Sequence, residues 1–328
     1  MGKRAKTQQA GGRTGRILGR LGLLAAETLL LAFVALCALS FVLAKGPSPS
    51  AAREFVLTVR ETRALRFLAG WFFSDAEIAQ MEAGKNAAIY AETDTSLIRI
   101  SADPSEPDAW GLVDEDGDGI VWEEIQGKGF QGCMMVVREP SRVVLGFRPD
   151  ESGTVGQTAR HYGAVAGVKA GGTSDTLVVF QGEIFSERNG TGGSFAGFDG
   201  DYVLHVGRMT AAELQAADIQ YGVGSGPALV VNGEAVDSRA LASGYHACTA
   251  IGQRADGAVL LLVIDSARYQ DLARIMLAYG AVNACSMAGG SSSPMVFNGA
   301  YIRKQAFVGE AKSPTAWLVL EEGARLDD

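Results

Sequence analysis

The sequence is poor in proline, cysteine and histidine, with 9, 4 and 3 residues of these types among 328. Its 42 glycines are dispersed and follow no short period, which excludes collagen-like and low-complexity sequences. Three cysteines follow the first apolar run, Cys133, Cys248 and Cys285, and their spacings match no zinc-binding pattern. A disulfide-stapled fold and a zinc site are therefore not expected, although a single Cys248–Cys285 bridge stays open.

Positive charge is scarce outside residues 1–20. These carry six basic residues and no acidic one, and subtracting six from the overall net charge of −8 leaves −14 for the rest of the chain. A basic surface for nucleic acid is therefore not expected on the folded part. Because 47% of the residues are apolar and 20% are charged, the chain can bury a sizeable core.

Residues 21–44 form an apolar run in which Glu27 is the only charged residue. The run is long enough to cross a bilayer as a helix, and the basic cluster at 1–20 indicates a cytoplasmic N-terminus. A cleaved signal peptide is the alternative, but the run exceeds a usual signal-peptide core and no good cleavage site follows it. We therefore expect a basic cytoplasmic tail at 1–20, a transmembrane helix at 21–44 with the lipid bilayer as its partner, and an extracytoplasmic remainder.

The sequence after the apolar run predicts one α+β domain. Residues 45–85 are expected to form a linker and juxtamembrane helices, and the chain then alternates short apolar strands with glycine-rich turns. Two helices interrupt this pattern, at 210–219 after a capping box and at 267–280 before a closing glycine. A mixed β-sheet core with a few packed helices is therefore expected for residues 86–328.

An acidic stretch, DEDGDGIVWEEI at 114–125, has part of a calcium-binding pattern. Asp114, Asp116 and Asp118 fit the first half of an EF-hand loop. The twelfth position is Ile125, where that loop needs a bidentate glutamate. We therefore favour an acidic hairpin turn, with calcium binding as the alternative.

Several segments resemble the phosphodiester glycosidase family. The likeness is carried by the order and spacing of TAIGQRADGAVLLLVID at 249–265, LARIMLAYGAVNA at 272–284, GGSSS at 289–293 and FNG at 297–299. It covers roughly residues 50–320. The resemblance implies an extracytoplasmic glycosidase that hydrolyses sugar-1-phosphate diesters and acts on or binds glycosyl phosphodiesters of cell-envelope glycopolymers. We expect no cofactor and no metal.

The resemblance also reveals departures. Where members of the family carry Asn, Arg, Arg and Asp, this chain has Lys169, Cys248, Ala267 and Ala288. All four positions fall in the family's site motifs, while the surrounding scaffold is similar. Neither cysteine nor alanine can make the bidentate contact of a guanidinium, so the family's phosphate contacts are not reproduced in kind.

The remaining polar groups define the candidate site. A sugar-1-phosphate diester needs a partner for the phosphate charge, a proton donor, and a carboxylate that stabilises an oxocarbenium-like state. Asp265 is the candidate carboxylate because the family keeps it, Lys169 is a candidate phosphate contact or else a solvated turn lysine, and Asp175 lies near the glycine turn. The candidate substrate-binding residues are Gly171, Gly172, Thr249, Gly289, Gly290, Ser291 and Ser292.

Two functional hypotheses stay open. In the first, an enzyme uses a rewired site built on Asp265, Lys169 and the Gly-Ser loop. In the second, a non-catalytic binding or regulatory module keeps the cleft and has lost the chemistry. His246 and Cys248 share a strand face and could form a nucleophile–base pair, but no third orienting residue is evident, so a small buried thiol is favoured.

Overall fold

The structure is a computed structural model of the chain. It describes residues 67–78, 92–101, 108, 110–127, 129–171, 177–185, 194–236, 241, 244–287, 293–303, 310 and 312–326, together with positions 27, 28, 41, 42, 45 and 56. The chain divides into two compact units, Met1–Glu82 and Ala83–Asp328.

The first unit contains helix α1, Phe67–Phe72, and a helical segment at 75–78. The second segment begins with a capping box. The N–H and the hydroxyl of Ser74 both donate to Glu77 Oε2 at 2.8 Å, and the N–H of Glu77 donates to Ser74 Oγ at 3.3 Å. Within the described residues, no helix is both long and apolar enough to cross a membrane. Most of the span predicted at 21–44 lies outside those residues, and the membrane helix stays a prediction.

The second unit is rich in strands and has three helices among its described residues. The helices are α2 Val155–His161, α3 Ala211–Ala216 and α4 Tyr269–Ala278. The strands are β1 Ile120–Gly127, β2 Phe130–Val137, β3 Val143–Phe147, β4 Ala166–Lys169, β5 Val178–Phe180, β6 Glu183–Ile184, β7 Ser194–Asp199, β8 Leu204–Gly207, β9 Ile219–Ser225, β10 Ala228–Val231, β11 Glu234–Ala235, β12 His246–Arg254, β13 Val259–Ala267, β14 Ala281–Ser286, β15 Met295–Phe297, β16 Ala300–Arg303 and β17 Thr315–Val319. Single 3₁₀ turns lie at Thr95–Leu97 and Pro140–Arg142.

These strands form three sheets. Sheet one has the order β1-β2-β13-β12-β14-β10-β11, sheet two the order β16-β15-β4-β17-β3, and sheet three the order β6-β5-β9-β7-β8. The expected α+β class with few helices is confirmed in this form. Where the sequence analysis expected a mixed sheet, the strand pairs that the structure describes are antiparallel. Short turns join consecutive strands such as β1–β2 and β12–β13, and such turns can only connect antiparallel neighbours.

The position of each strand in sheet one follows from its hydrophobic pattern. β12 and β13 are continuous apolar runs, and nearly every residue in them is buried because they occupy the middle of the sheet with both faces covered. β1 is an edge strand and alternates between more and less exposed residues, as expected when one face meets solvent.

The layers around sheet one come from the amphipathic helix α4 and from sheet two. α4 packs on one face against β10, β13 and β14, and it buries Tyr269, Leu272, Ala273 and Met276. The main core contains side chains of both sheets, and the Trp317 indole N–H of sheet two donates to Met287 Sδ at 3.2 Å. Helix α2 covers the outer face of sheet two, where Ala159 packs with Val144 and Leu318. Sheet two therefore lies between the main core and α2.

Buried polar side chains attach sheet three to sheet one. Gln253 Oε1 accepts the N–H of Leu204 at 2.6 Å, and its Nε2 donates to the carbonyl of Tyr202 at 2.9 Å. Asn283 Nδ2 donates to the carbonyl of Leu204 at 3.1 Å. Both side chains are fully buried, so these bonds satisfy groups that would otherwise lack a partner.

Arg254 anchors the segment that precedes β1. Its guanidinium donates to Asp108 through Nη1 at 3.2 Å and Nη2 at 2.9 Å, and through Nε to Asp256 at 3.1 Å. The Trp110 ring covers the guanidinium at 4.1 Å. The side chains of Arg254 and Asp108 are each only 2% exposed, which makes this a fully buried ion pair.

Candidate functional site

Several strands of sheets one and two end or begin at one edge of the domain. At that edge His246 near the start of β12 pairs with Ala267 at the end of β13. The N–H of Met287, just after β14, donates to the carbonyl of Thr249 at 2.7 Å. Sheet two arrives there through Arg303, which pairs with Met295 of β15 and bonds Asp265 of β13, and Ser293 lies two residues before Met295. We call the polar residues Thr249, Asp265, Ser293 and Arg303 at this edge the strand-end site.

Asp265 joins the two sheets through Arg303. Its Oδ2 accepts a hydrogen bond from Arg303 Nη2 at 2.6 Å, and its Oδ1 accepts the N–H of Gln131 at 2.9 Å. The side chain of Asp265 is 30% exposed and that of Arg303 is 20% exposed. The predicted carboxylate therefore lies at a partly open edge and contacts a guanidinium that the sequence analysis missed.

Two charges face Cys133 from the same side of sheet one. Burial, and to a smaller extent the negative charge of Glu124, raise the pKa of this thiol to about 12, and the positive charge of Arg303 partly opposes them. Glu124 pairs with Cys133, which pairs with Val263. Side chains of paired residues share a face, so Glu124 is an exposed second carboxylate on the face that receives Arg303.

Two hydroxyls of the strand-end site are buried without a partner. Thr249 Oγ1 and Ser293 Oγ have no hydrogen-bond partner, and both residues are 0% exposed. Thr249 is a predicted substrate-binding residue, whereas Ser293 was quoted only as the last letter of the Gly-Ser motif. An orphaned buried hydroxyl costs stability, so a pair of them at one edge indicates a place where a ligand supplies the missing acceptors.

Lys169 lies on a different face from Asp265. Its neighbour Val168 and the paired Trp317 belong to the main core, and successive strand residues point to opposite faces. Lys169 pairs with Ala316, which packs in the cluster beneath helix α2. Sheet two therefore separates Lys169 from the Asp265–Arg303 pair, and the structure does not bring the two predicted catalytic residues together.

Lys169 is 8% exposed, and burial lowers the pKa of its amine, an effect that the charge of Glu310 partly opposes. Glu310 itself accepts the N–H of Val155 at 2.5 Å and the hydroxyl of Tyr301 at 2.5 Å. These contacts place the carboxylate at the first turn of α2. The alternative in which Lys169 is a solvated lysine on a turn does not fit its small exposed fraction.

Replacing Lys169 by methionine should raise the free energy of unfolding by about 1 kcal/mol at pH 7, because a charge no longer has to be buried. The unfolded chain keeps the lysine proton up to about pH 10.4, whereas the folded chain releases it at lower pH. The unfolded state binds more protons between those two values, so wild-type stability should rise with pH across that window. Urea unfolding at pH 7 and pH 10 measures both effects.

Lys312→Met is the matched control, because Lys312 is exposed and its loss should change neither quantity. The same dependence on pH in the wild type and in Lys169→Met would contradict the prediction.

The residues near the start of β12 do not form a nucleophile and base. The Cys248 thiol donates to the backbone carbonyls of His246 at 3.3 Å and Ala267 at 3.7 Å, while His246 Nδ1 lies 2.9 Å from the carbonyl of Gly244. Cys248 and Ala267 are both buried. Cys248 is therefore the small buried thiol that the sequence analysis favoured, and the disulfide left open above does not join Cys248 to Cys285.

The glycine turn after β4 is described only at its first residue. Gly171 donates its N–H to Thr315 Oγ1 at 2.9 Å, and its carbonyl accepts the hydroxyl of Ser313 at 2.6 Å. Its backbone therefore serves the fold of sheet two. The other predicted positions lie outside the described residues, and their roles stay predictions: Gly172, Asp175, Ala288, Gly289, Gly290, Ser291 and Ser292.

The acidic stretch before β1 forms the expected turn. Asp114 accepts the N–H groups of Gly117 and Gly119, each at 2.9 Å, and Asp118 accepts the N–H of Ile120 at 2.7 Å. Oxygens of Asp114, Asp116 and Asp118 lie within 4.8 Å of one another. The carboxylates of Asp114 and Asp118 accept hydrogen bonds that hold the turn together. This structural role explains the two aspartates without a calcium ion.

A family model described as phosphodiester glycosidase matches residues 155–320, half of the chain. The chain belongs to the phosphodiester glycosidase family. No curated protein sequence matches it.

Comparison with solved structures supports the same fold. The catalytic domain of zebrafish N-acetylglucosamine-1-phosphodiester alpha-N-acetylglucosaminidase, auto-inhibited by its pro-peptide, superimposes with a TM-score of 0.52 at 16% identity. The match covers 62% of this chain and 82% of the zebrafish chain. A hypothetical protein from Synechocystis matches at 16% identity over 62% of each chain, with a TM-score of 0.48. At such low identity the zebrafish match speaks for the fold alone.

Proposed function

We propose that this domain binds and hydrolyses glycosyl phosphodiesters, of the kind found in cell-envelope glycopolymers, at the strand-end site. The observation that carries the proposal is the pair of buried, unpartnered hydroxyls of Thr249 and Ser293, of which Thr249 lies on the strand that pairs with the strand of Asp265. In this reading the phosphate and sugar oxygens accept the two hydroxyl hydrogens. Asp265 stabilises the positive charge that develops on the sugar as the glycosidic bond breaks.

Replacing Thr249 by valine tests the proposal, because valine has the same shape and no hydroxyl. Removing an unsatisfied buried hydroxyl should raise the free energy of unfolding by about 1 kcal/mol and weaken binding of the diester. The measurements are urea unfolding and titration calorimetry of the purified full-length chain with the methyl diester of N-acetylglucosamine 1-phosphate.

Thr315→Val provides the matched control. The Thr315 hydroxyl is also buried, but it bonds both the N–H and the carbonyl of Gly171. The same substitution should therefore lower stability there by about 1 kcal/mol. If Thr249→Val lowered stability and left diester binding unchanged, the hydroxyl would not be kept for a ligand and the proposal would fail.

A second candidate function is a non-catalytic module that binds the same ligands. The observation in its favour is that Cys248 and Ala267 are buried and uncharged where relatives carry arginines. Such a module would bind the diester in the calorimeter and release no free sugar from it. An assay of sugar release on the wild-type chain separates the two candidates.

We further propose that residues 21–44 anchor the protein in a membrane with its N-terminus in the cytoplasm and residues 86–328 outside. The support is the apolar run and the basic residues that precede it. In intact cells, added protease should digest the domain and spare a tag at the N-terminus. Protection of the domain would contradict this orientation.

A further inference from the structure

Arg303 reaches the strand-end site because β16 is irregular at its end. Val296 pairs with Tyr301 but Met295 pairs with Arg303, so Ile302 is an extra residue of the kind found in a β-bulge. A bulge bends its strand and re-aims the side chains next to it. The guanidinium of Arg303 thereby leaves sheet two and meets Asp265 of sheet one, Nη2 to Oδ2, at 2.6 Å.

The guanidinium of Arg303 has hydrogen-bond donors that its bond to Asp265 does not use. Arginine carries five N–H donors in a planar fork, and the bond to Asp265 is made by Nη2. Its Nε and Nη1 donate to no described residue, although the side chain is only 20% exposed. Thr249 and Ser293 add two buried hydroxyls without partners at the same edge. These donors therefore lack acceptors among the described residues, which suits a ligand with several anionic oxygens.

We infer that Arg303 binds the substrate phosphate through Nε and Nη1, and that Asp265 makes the site select phosphodiesters over phosphomonoesters. The inference rests on the proposed function. It assigns the contact with the substrate phosphate to a residue outside the family motifs. An arginine suits this role because its fork matches two phosphate oxygens at once. Arg303 supplies from sheet two the cation that Cys248 and Ala267 cannot supply from sheet one.

The preference for a diester follows from the charges around the guanidinium. Asp265 already pairs with Arg303, and Glu124 faces the same side of sheet one. Lys169 lies on the far face of sheet two and adds no positive charge here. A diester brings one negative charge to this site, whereas a monoester brings nearly two at pH 8. The second charge is repelled by the neighbouring carboxylates, and among the described residues no second cation is placed beside Arg303 to offset it.

Titration calorimetry of the purified full-length chain at pH 8 tests both parts. The probes are the methyl diester of N-acetylglucosamine 1-phosphate and N-acetylglucosamine 1-phosphate itself. If the diester is hydrolysed, kcat/KM for the diester and the inhibition constant of the monoester replace the two affinities. The wild type should bind the diester at least about tenfold more tightly, a ratio smaller than one close charge contact near a protein surface would give.

Variants at the two residues should act differently. Arg303→Gln should weaken diester binding by about 10- to 100-fold, as expected for lost charge-assisted hydrogen bonds, and Arg303→Lys should weaken it less because the charge remains. Asp265→Asn should raise the affinity for the monoester relative to the diester by about tenfold. Arg274→Gln is the matched control, since Arg274 is 80% exposed on α4 and lies 3.9 Å from Asp271.

Two results would overturn the inference while the proposed function stands. The first is that Arg303→Gln binds the diester as tightly as the wild type while its unfolding curve is that of a folded protein. Arg303 would then not be the phosphate contact. The second is that the ratio of diester to monoester affinity is the same in Asp265→Asn as in the wild type. The charge of Asp265 would then not select between the two ligands. A wild-type chain that binds neither probe would contradict the proposed function itself.

Discussion

Replacing Asp265 by asparagine should lower the rate of sugar release from a glycosyl phosphodiester by about 10²- to 10⁴-fold, the loss typical of a catalytic carboxyl group. Asparagine keeps the size of the side chain. Its single amide oxygen can accept a hydrogen bond from Gln131 or from Arg303, which bond different oxygens of Asp265. It cannot provide the negative charge that stabilises an oxocarbenium-like state. The expected loss is therefore in kcat, and the measurement is release of free sugar from the methyl diester of N-acetylglucosamine 1-phosphate.

Asp201→Asn is the control for this experiment, because Asp201 is an exposed aspartate in the turn between β7 and β8. It should leave sugar release and stability unchanged. Release at the wild-type rate by Asp265→Asn would exclude Asp265 as the catalytic carboxylate. A wild-type chain that binds the diester without releasing sugar would favour the non-catalytic module.

Replacing Arg254 by methionine should lower the free energy of unfolding by about 3–5 kcal/mol, the range measured when one partner of a buried ion pair is removed. Methionine fills much of the same volume, so the loss comes mainly from the carboxylate of Asp108, which stays buried without a cation. The Trp110 ring also loses the guanidinium that it covers. Urea unfolding followed by circular dichroism gives the difference.

The dependence on pH gives a second signature of the Arg254 cluster. Burial acts to raise the pKa of Asp256, but the hydrogen bonds from Arg254 and the N–H of Ala258, together with the charge of Arg254, outweigh it and lower this pKa below the ordinary value. A lowered folded pKa adds stability above the unfolded pKa of about 3.9, and that stability is lost as pH falls through the folded value. The wild type should lose this increment on acidification, and Arg254→Met should not.

A double variant and a surface control complete this test. Arg254→Met combined with Asp108→Leu should recover part of the lost stability, because the stranded charge is then gone. Arg274→Met, at an exposed arginine, should stay within about 0.5 kcal/mol of the wild type. If Arg254→Met were as stable as the wild type, the buried pair would make no net contribution.

Local features of the fold were predictable because neighbouring residues determine them. The capping boxes at 74–77 and 210–213 follow from a Ser or Thr three residues before a Glu, and both are present. The helix expected at 267–280 is found at Tyr269–Ala278, and Gly280 follows it with φ +82°. Family membership was predictable for a related reason, since the motifs that carry it are contiguous segments.

The candidate site was predictable only in part. The motifs singled out Asp265 and Thr249, which the structure places on paired strands, and they did not single out Arg303, which contacts Asp265, or the buried Ser293. No sequence motif surrounds Arg303. Its position depends on the bulge at the end of β16, and its partner Asp265 lies 38 residues away in the sequence. A shift of one residue in register would turn that side chain to the other face of its sheet.

By itself, the sequence determined which segments become strands and helices, which of them are buried, and which family the domain belongs to, because each of these depends on residues close together in the chain. Only the tertiary structure decided that Lys169 lies beneath α2, away from Asp265, and that a guanidinium from another sheet meets that carboxylate instead. The physical reason is that strand pairing over long separations sets which face a side chain occupies, and composition along one strand carries no information about its distant partner.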